Sequence, residues 1–409
     1  MQRVIESIRD GTWLTRERLT GYCLLLLVAY VAQVLWIVLS GPGLLDGMGR
    51  PIGTDFANIW TSGRMVLDGR PADVFDPALQ RPYQHDVLGV TADYFYGWHY
   101  PPMFLAVAAG LALLPYLAAL AVWLTVTGYL YVKTMLRIVP VAPENVRLVM
   151  LAALAYPATL ACITHGHNGF LTAALFGLGL LVLPSQPMQA GILFGLLAYK
   201  PQYGVLLPIA LLVTRQWQAM AAAAVTVIVI VAASVLLFGV ASWQSFLTNA
   251  AFTKETILEN GAAGWFKLQG LFPAIRMYGG STSFAYAAQL ALVLSLLSAT
   301  AWLWRSRAAH EIKSAGLILA TMLATPYAFN YDTVLLGAAI AFVVADRLKH
   351  GFAAYEISAL SLLWFVPLCS RELTALLNIP IAFVIQSLVL VMLLDAVRRA
   401  QTVRLSHAV

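Results

Sequence analysis

The sequence predicts an all-α polytopic membrane protein, and three observations carry that prediction. The 409 residues are 60% hydrophobic and only 11% charged, about half the charged fraction of a soluble domain. Apolar runs of membrane length, or of half that length in adjacent pairs, recur along the whole chain. The basic residues collect in alternate connections between those runs, which is how orientation in a bilayer is encoded.

Taken in order, the apolar runs fall at 20–40, 116–138, 147–164, 169–184, 187–200, 202–214, 217–238, 284–304, 313–326, 331–346, 352–369 and 374–396. About 20 apolar residues cross the hydrocarbon. The runs therefore give one integral-membrane domain, 1–409, holding a bundle of about 12 transmembrane helices, the shorter ones tilted, broken or inserted from one side. The first run follows Arg16 and Arg18 and is longer than the apolar core of a cleavable signal, so it is expected to stay as the first span. The stretch 101–115 is apolar, short and bounded by prolines, and reads as a juxtamembrane helix in the outer interface.

Charge tests this layout. With the N-terminus inside, 16 of the 25 basic residues fall on the cytoplasmic side, whereas a crossing at 101–115 would put Arg137, Arg215, Arg305 and Arg347 outside. The expected location is the cytoplasmic (inner) membrane, with both termini cytoplasmic. The net charge of +6 is on this reading a topology signal, and no nucleic-acid partner is implied. The three cysteines stand singly, with neither metal-ligand spacing nor an evident disulfide partner.

Two long connections lie on the outer, periplasmic side: 41–115 and 239–283. The first holds seven of the 19 acidic residues, Asp46, Asp55, Asp68, Asp73, Asp76, Asp86 and Asp93. A polar excursion of this size in so apolar a chain points to chemistry or binding. Within it, Gly53-Thr54-Asp55-Phe56 starts a helix whose polar positions, including Arg64, alternate with Phe56, Ile59, Trp60 and Met65, an amphipathic surface helix that Thr54 would cap. Asp55 has two readings, a carboxylate that offsets the helix dipole, worth about 0.3–1 kcal/mol, or a reacting group. Asp73 and Asp76 read as caps of a second short helix. The aromatic strip Tyr94 to Pro102, with Trp98, His99 and Tyr100, is either an interfacial belt or a stacking surface for sugars.

Further along, His165-Gly166-His167-Asn168 turns between two helices, suited to hydrogen-bond a phosphate or hydroxyl more than to hold a metal. Lys200-Pro201-Gln202 sits between two apolar half-spans. A lysine there costs about 3 kcal/mol on insertion scales, and the proline frees backbone groups to line a polar cavity. It is either a cation for a lipid phosphate or a structural lysine, held in an ion pair or snorkelling to the interface. The second outer connection mixes Lys254, Lys267, Gln269 and Arg276 with aromatic rings, and Pro326 to Asp332 breaks a helix pair so that Asn330 and Asp332 can face the cavity of Asp55.

Together these stretches resemble glycosyltransferase family 87, polyprenyl-phosphate-mannose-dependent mannosyltransferase-like enzymes. The matching segments are Asp55-Phe56 through Ser62-Gly63-Arg64, Gly69-Arg70-Pro71-Ala72, Tyr100-Pro101-Pro102-Met103-Phe104-Leu105, Gly166-His167-Asn168-Gly169-Phe170-Leu171, Gly191 to Leu196, and Lys200-Pro201-Gln202. Where related sequences often have glutamine before asparagine, this chain has His167 before Asn168. The resemblance implies the GT-C membrane fold, Asp55 as catalytic base, and polyprenyl-phosphate sugars, mostly mannose or arabinose, as donors.

The expected reaction is inverting transfer to a lipid or glycan acceptor at the outer face, among membrane lipids. Lys200 and Arg276 would neutralise the donor phosphate. Arg64, Trp98, His99, Tyr100, His165, His167, Asn168, Gln202, Gln269, Asn330 and Asp332 are candidates for holding sugar or acceptor. No cofactor is called for and no metal site is assigned, with a divalent ion left open. A transporter or flippase shares the intramembrane lysine and broken helices, and a glycan ligase or polymerase would use a lipid-diphosphate donor instead.

Overall fold

A computed structural model describes residues 2–90 and 94–406, so Asp93 of the acidic insert lies outside the described residues. Eighteen α-helices follow one another among those residues. Helices α1 (Gln2–Asp10) and α2 (Arg16–Leu39) open the chain, and α3 (Thr54–Leu67), α4 (Pro77–Leu88) and α5 (Leu105–Ala112) build the first insert. Then come α6 (Tyr116–Ile138), α7 (Val146–Leu154), α8 (Pro157–His165), α9 (Gly169–Val182), α10 (Pro187–Leu196) and α11 (Leu207–Val213). The last group is α12 (Trp217–Thr253), α13 (Leu271–Met277), α14 (Thr282–Arg305), α15 (His310–Ala324), α16 (Val334–His350), α17 (Glu356–Leu377) and α18 (Ile381–Ser406).

Among the described residues six helices are long and apolar enough to cross a membrane: α2, α6, α12, α14, α17 and α18. A seventh span arises if α7 and α8, bent by 55° where Pro157 opens α8, are counted as one. The expected count of about 12 is not confirmed. Prolines cut the apolar stretch between 187 and 213 into α10, two short 3-10 turns and α11. Helix α15, 15 residues long, is buried on every side from Ile312 to Ala324, and a helix apolar all round belongs inside a bundle as readily as in lipid. It packs between α14, α16 and α18. The stretch 101–115 yields only the eight-residue α5, too short to cross.

The first insert is a second apolar core rather than a surface loop. Phe56, Ile59, Met65, Phe75, Trp98, Phe104, Leu105 and Trp123 are all nearly or fully buried together. The expected amphipathic surface helix is corrected here, because α3 buries most of its circumference. Gly63 is the reason it can: a Cβ there would sit 2.1 Å from the Ala108 carbonyl oxygen, so only glycine permits the close crossing of α3 and α5. Thr54 does not cap its own helix, since its hydroxyl is taken by His165. Asp76 does cap α4 through the Ala78 N–H at 2.8 Å, while Asp73 pairs with Arg70 instead.

The second long connection begins where Gly239 breaks α12, with φ 78° and ψ 162°. Beyond that break the helix lies against the first insert. Phe246 packs on Phe75, and Asn249 donates to the Trp98 carbonyl at 3.2 Å.

Candidate active site

Asp55 stands in the first turn of α3, held where that helix meets the end of α8. Thr54 Oγ1 lies 2.6 Å from His165 Nδ1. A Cβ on Gly166, whose φ is +62°, would strike the Phe56 side chain at 2.5 Å, so the turn between α8 and α9 fits against α3 only as glycine. The loop before α16 closes the site from the other side. Its Tyr331 hydroxyl comes close enough to the Asp55 carboxylate to favour the ionised acid.

Tyr331 is itself fixed on several sides. The His167 ring stacks on it at 3.6 Å between centroids, Phe329 stacks at 5.5 Å, and His165 meets its edge at 5.6 Å. Its carbonyl accepts from the Cys162 thiol. One residue on, Asp332 is buried and saturated: Oδ1 takes Lys200 Nζ at 2.6 Å and Oδ2 takes the Phe329 N–H at 3.0 Å. Lys200, on the break between α10 and α11, also lies 3.4 Å from His167 Nε2. Of the two readings open for Lys200, the structure forms the ion pair, with both side chains only 5% exposed.

These neighbours set the chemistry of Asp55. Burial pushes its carboxyl up and the nearby Asp332 charge adds to that, against the Tyr331 hydroxyl and the Lys200 charge; the balance lies at about 7. A carboxylate poised near neutral pH is suited to take a proton in a reaction. Asp332, with both oxygens occupied, is not free for that role. Asn168 lies beside them at the start of α9, fully buried with both ends of its amide unpartnered. Such a group is costly unless a ligand or water completes it. An aromatic wall of Tyr100, Phe104 and Tyr199 runs alongside, Phe104 and Tyr199 stacked at 4.7 Å. Tyr199 is pinned by Thr172 at 2.7 Å.

The expected site residues thus divide. Asp55, Tyr100, His165, His167, Asn168, Lys200 and Asp332 come together. Asn330 does not join them, since its Nδ2 donates to the Pro367 carbonyl at 2.9 Å and its Oδ1 accepts from Ser370, which ties the loop to α17. Trp98 is a core residue, 1% exposed, and is no open stacking face. His99 is exposed, with Nδ1 3.2 Å from Thr253 Oγ1. Arg64 lies in the last turn of α3 over the Trp60 ring, nine residues from Asp55 and so about 13 Å along the helix. Gln202 is half-buried on the turn after Lys200. Gln269 pairs its backbone with Ala328 at 2.8 Å and so braces the Tyr331 loop. Arg276 binds the carbonyls of Gly280 and Glu259 and covers the Trp265 ring. Tyr331 itself was not singled out from the sequence, although it sits between two residues that were. Among the described residues no group of three or more His, Cys, Asp or Glu side chains could hold a metal ion.

A multi-pass helical membrane protein with an acid poised beside a buried ion pair, and unpartnered amide groups at the same place, has the form of a membrane enzyme. A family model for glycosyltransferase family 87 matches residues 98–326, more than half of the chain. The protein belongs to that family and is a membrane glycosyltransferase. The transporter reading finds no support. The matched stretch includes His167, Asn168 and Lys200, while Asp55, Tyr331 and Asp332 lie outside it. Neither the curated proteins nor the solved structures gave a match.

Proposed function

We propose that this glycosyltransferase moves a sugar, mannose being the first to test, from a polyprenyl-phosphate donor to a lipid or glycan acceptor. The reaction takes place at the outer face of the cytoplasmic membrane and inverts the anomeric centre. The observation that carries the reading is the setting of Asp55: half-buried at the start of α3, where Thr54 meets His165, and facing Tyr331 and the buried Lys200–Asp332 pair, which together with burial hold it near neutrality. Asp55 accepts the proton of the acceptor hydroxyl as that oxygen bonds to the anomeric carbon. The bond from that carbon to the phosphate oxygen breaks, and polyprenyl phosphate leaves as an anion. A positioned base of this kind contributes about 10²–10⁴-fold.

The donor phosphate needs cations whose charge is not already spent. Lys200 is committed to Asp332, and Arg276 is committed to two backbone carbonyls. Lys267 and Arg371 suit the task better. They lie within electrostatic reach of each other and of His165, and neither has a carboxylate partner among the described residues. Burial, with Arg371 adding to it, holds the Lys267 ammonium below its usual range. Two cations within electrostatic reach of each other favour an anion between them. Arg50, also near His165, is already paired with Asp46 at 2.8 Å.

The test is sugar transfer by the purified full-length protein in detergent, given polyprenyl-phosphate mannose and a lipid extract from the host. Wild type should form product and Asp55→Ala should not. Product from both would move the base elsewhere. Transfer from a lipid-diphosphate donor, but not from the monophosphate, would overturn the donor assignment.

A further inference from the structure

A second site lies at the end of the bundle remote from Asp55. Tyr116, at the start of α6, bonds the Ile52 carbonyl close to Asp55, while Tyr131 lies 15 residues further along the same helix, about 22 Å away. From Tyr131 to Val141 the helix and the turn after it form one wall of a half-open cavity of about 460 Å³, closed by parts of α2, α7, α16 and α17. Its depth along α6, from Tyr131 to Val139, is about 12 Å, a little under half of a ~30 Å hydrocarbon layer.

The walls call for a hydrocarbon. The hydroxyls of Tyr131 and Tyr156 donate to the carbonyls of Ala153 and Thr333, and the Trp364 N–H donates to Ala152. The polar atoms of these three rings are thus occupied within the protein, and the faces turned to the cavity are apolar. An apolar cavity of about 150 Å³ takes up one benzene ring, so by volume this one has room for roughly 16–18 carbons, one acyl chain in a folded-back conformation.

The mouth calls for an anion at a membrane surface. Arg16 lines it, donating to the Glu144 carbonyl at 3.1 Å and forming no ion pair among the described residues. Beside it α1 exposes Val4, Ile5 and Ile8 together while α17 holds its end through Ser358 and Tyr355. An amphipathic helix of this kind lies in the headgroup layer.

We infer that this cavity holds one acyl chain of an anionic phospholipid, whose headgroup is bound by Arg16. A polyprenyl phosphate fits less well, because a phosphate at Arg16 would stand at the wrong end of the molecule for Asp55.

The test is thermal unfolding of the full-length protein, stripped of lipid by detergent exchange and then titrated with phosphatidylglycerol, phosphatidylcholine of the same chains, or polyprenyl phosphate. Phosphatidylglycerol should raise Tm at lower concentration than phosphatidylcholine. Arg16→Gln should weaken the phosphatidylglycerol response about fivefold, the share of one interfacial cation, and leave phosphatidylcholine unchanged. Ala152→Phe, which fills the cavity, should abolish both responses. Equal responses to the two phospholipids in wild type would overturn the inference, as would a full response in Ala152→Phe or stabilisation by polyprenyl phosphate alone. If Ala152→Phe does not fold, the lipid series on wild type and Arg16→Gln decides.

Discussion

The pH dependence of transfer is the sharpest consequence of the site around Asp55. Burial and the Asp332 charge hold this carboxyl at about 7, where an aspartate ordinarily lies at 3.8. If Asp55 must be ionised to act, kcat/KM should rise tenfold per pH unit below 7 and level off above it. It should reach about one tenth of the plateau at pH 6 and about one hundredth at pH 5. An unperturbed aspartate would give a flat profile over the same range. The groups facing Asp55 are Asp332, Lys200, Tyr331, Tyr100, Tyr96 and Cys162. Asp55→Asn should lose about 10²–10⁴ in rate and lose the slope with it. Because the folded-state value is raised, the stability linked to this group is full below pH 3.8 and is lost as pH rises through about 7. At pH 8 the asparagine variant should therefore unfold at no lower temperature than wild type, which separates lost chemistry from lost folding. The assay is initial transfer rate at subsaturating donor across pH 5 to 9. A flat wild-type profile, or a variant that keeps most of the activity, would refute the reasoning.

Two further outcomes follow from the same network. Lys200→Met strands a buried Asp332 and should cost about 3–5 kcal/mol, whereas Lys200→Met with Asp332→Leu should recover most of it; a denaturant series on the two singles and the double reads the coupling. A Lys200→Met protein of wild-type stability that only raises KM for the donor would return Lys200 to phosphate binding. Tyr331→Phe removes the hydroxyl that favours ionised Asp55, so the midpoint of the rate profile should move above 7 and the rate at pH 7 should fall severalfold while the alkaline plateau holds. An unmoved midpoint would sink that role.

Much of this was legible in the sequence, and the failures have physical causes. The runs at 20–40, 116–138 and 217–238 became α2, α6 and the first part of α12, with the break at Gly239 where the second outer connection was placed. The proline after Lys200 did split the apolar stretch. The span count did not carry over, because apolarity reads the same for α15, enclosed by protein, as for a helix facing lipid. The misplaced site residues share one cause. Trp98, Arg276 and Asn330 are the right chemical types for binding a sugar or a phosphate, but each is taken up by a backbone or amide partner that its residue type does not announce: Trp98 by Asn249, Asn330 by Pro367, and Arg276 by the nearer carbonyls of Glu259 and Gly280. Tyr331 escaped for the complementary reason: its importance comes from the His167 ring stacked on it from 164 residues away.

The scatter of the site along the chain has a consequence for how the protein is made. A ribosome delivers Asp55 among the first helices, and Lys200 only after α10, just ahead of Pro201. The Asp332 that pairs with Lys200 arrives after α15 has been delivered. Until then a lysine waits in the interior with its charge uncompensated, and the base lacks Tyr331. The last third of the molecule therefore decides whether the first third can work, and a nascent chain halted before residue 330 carries the acid without the setting that tunes it.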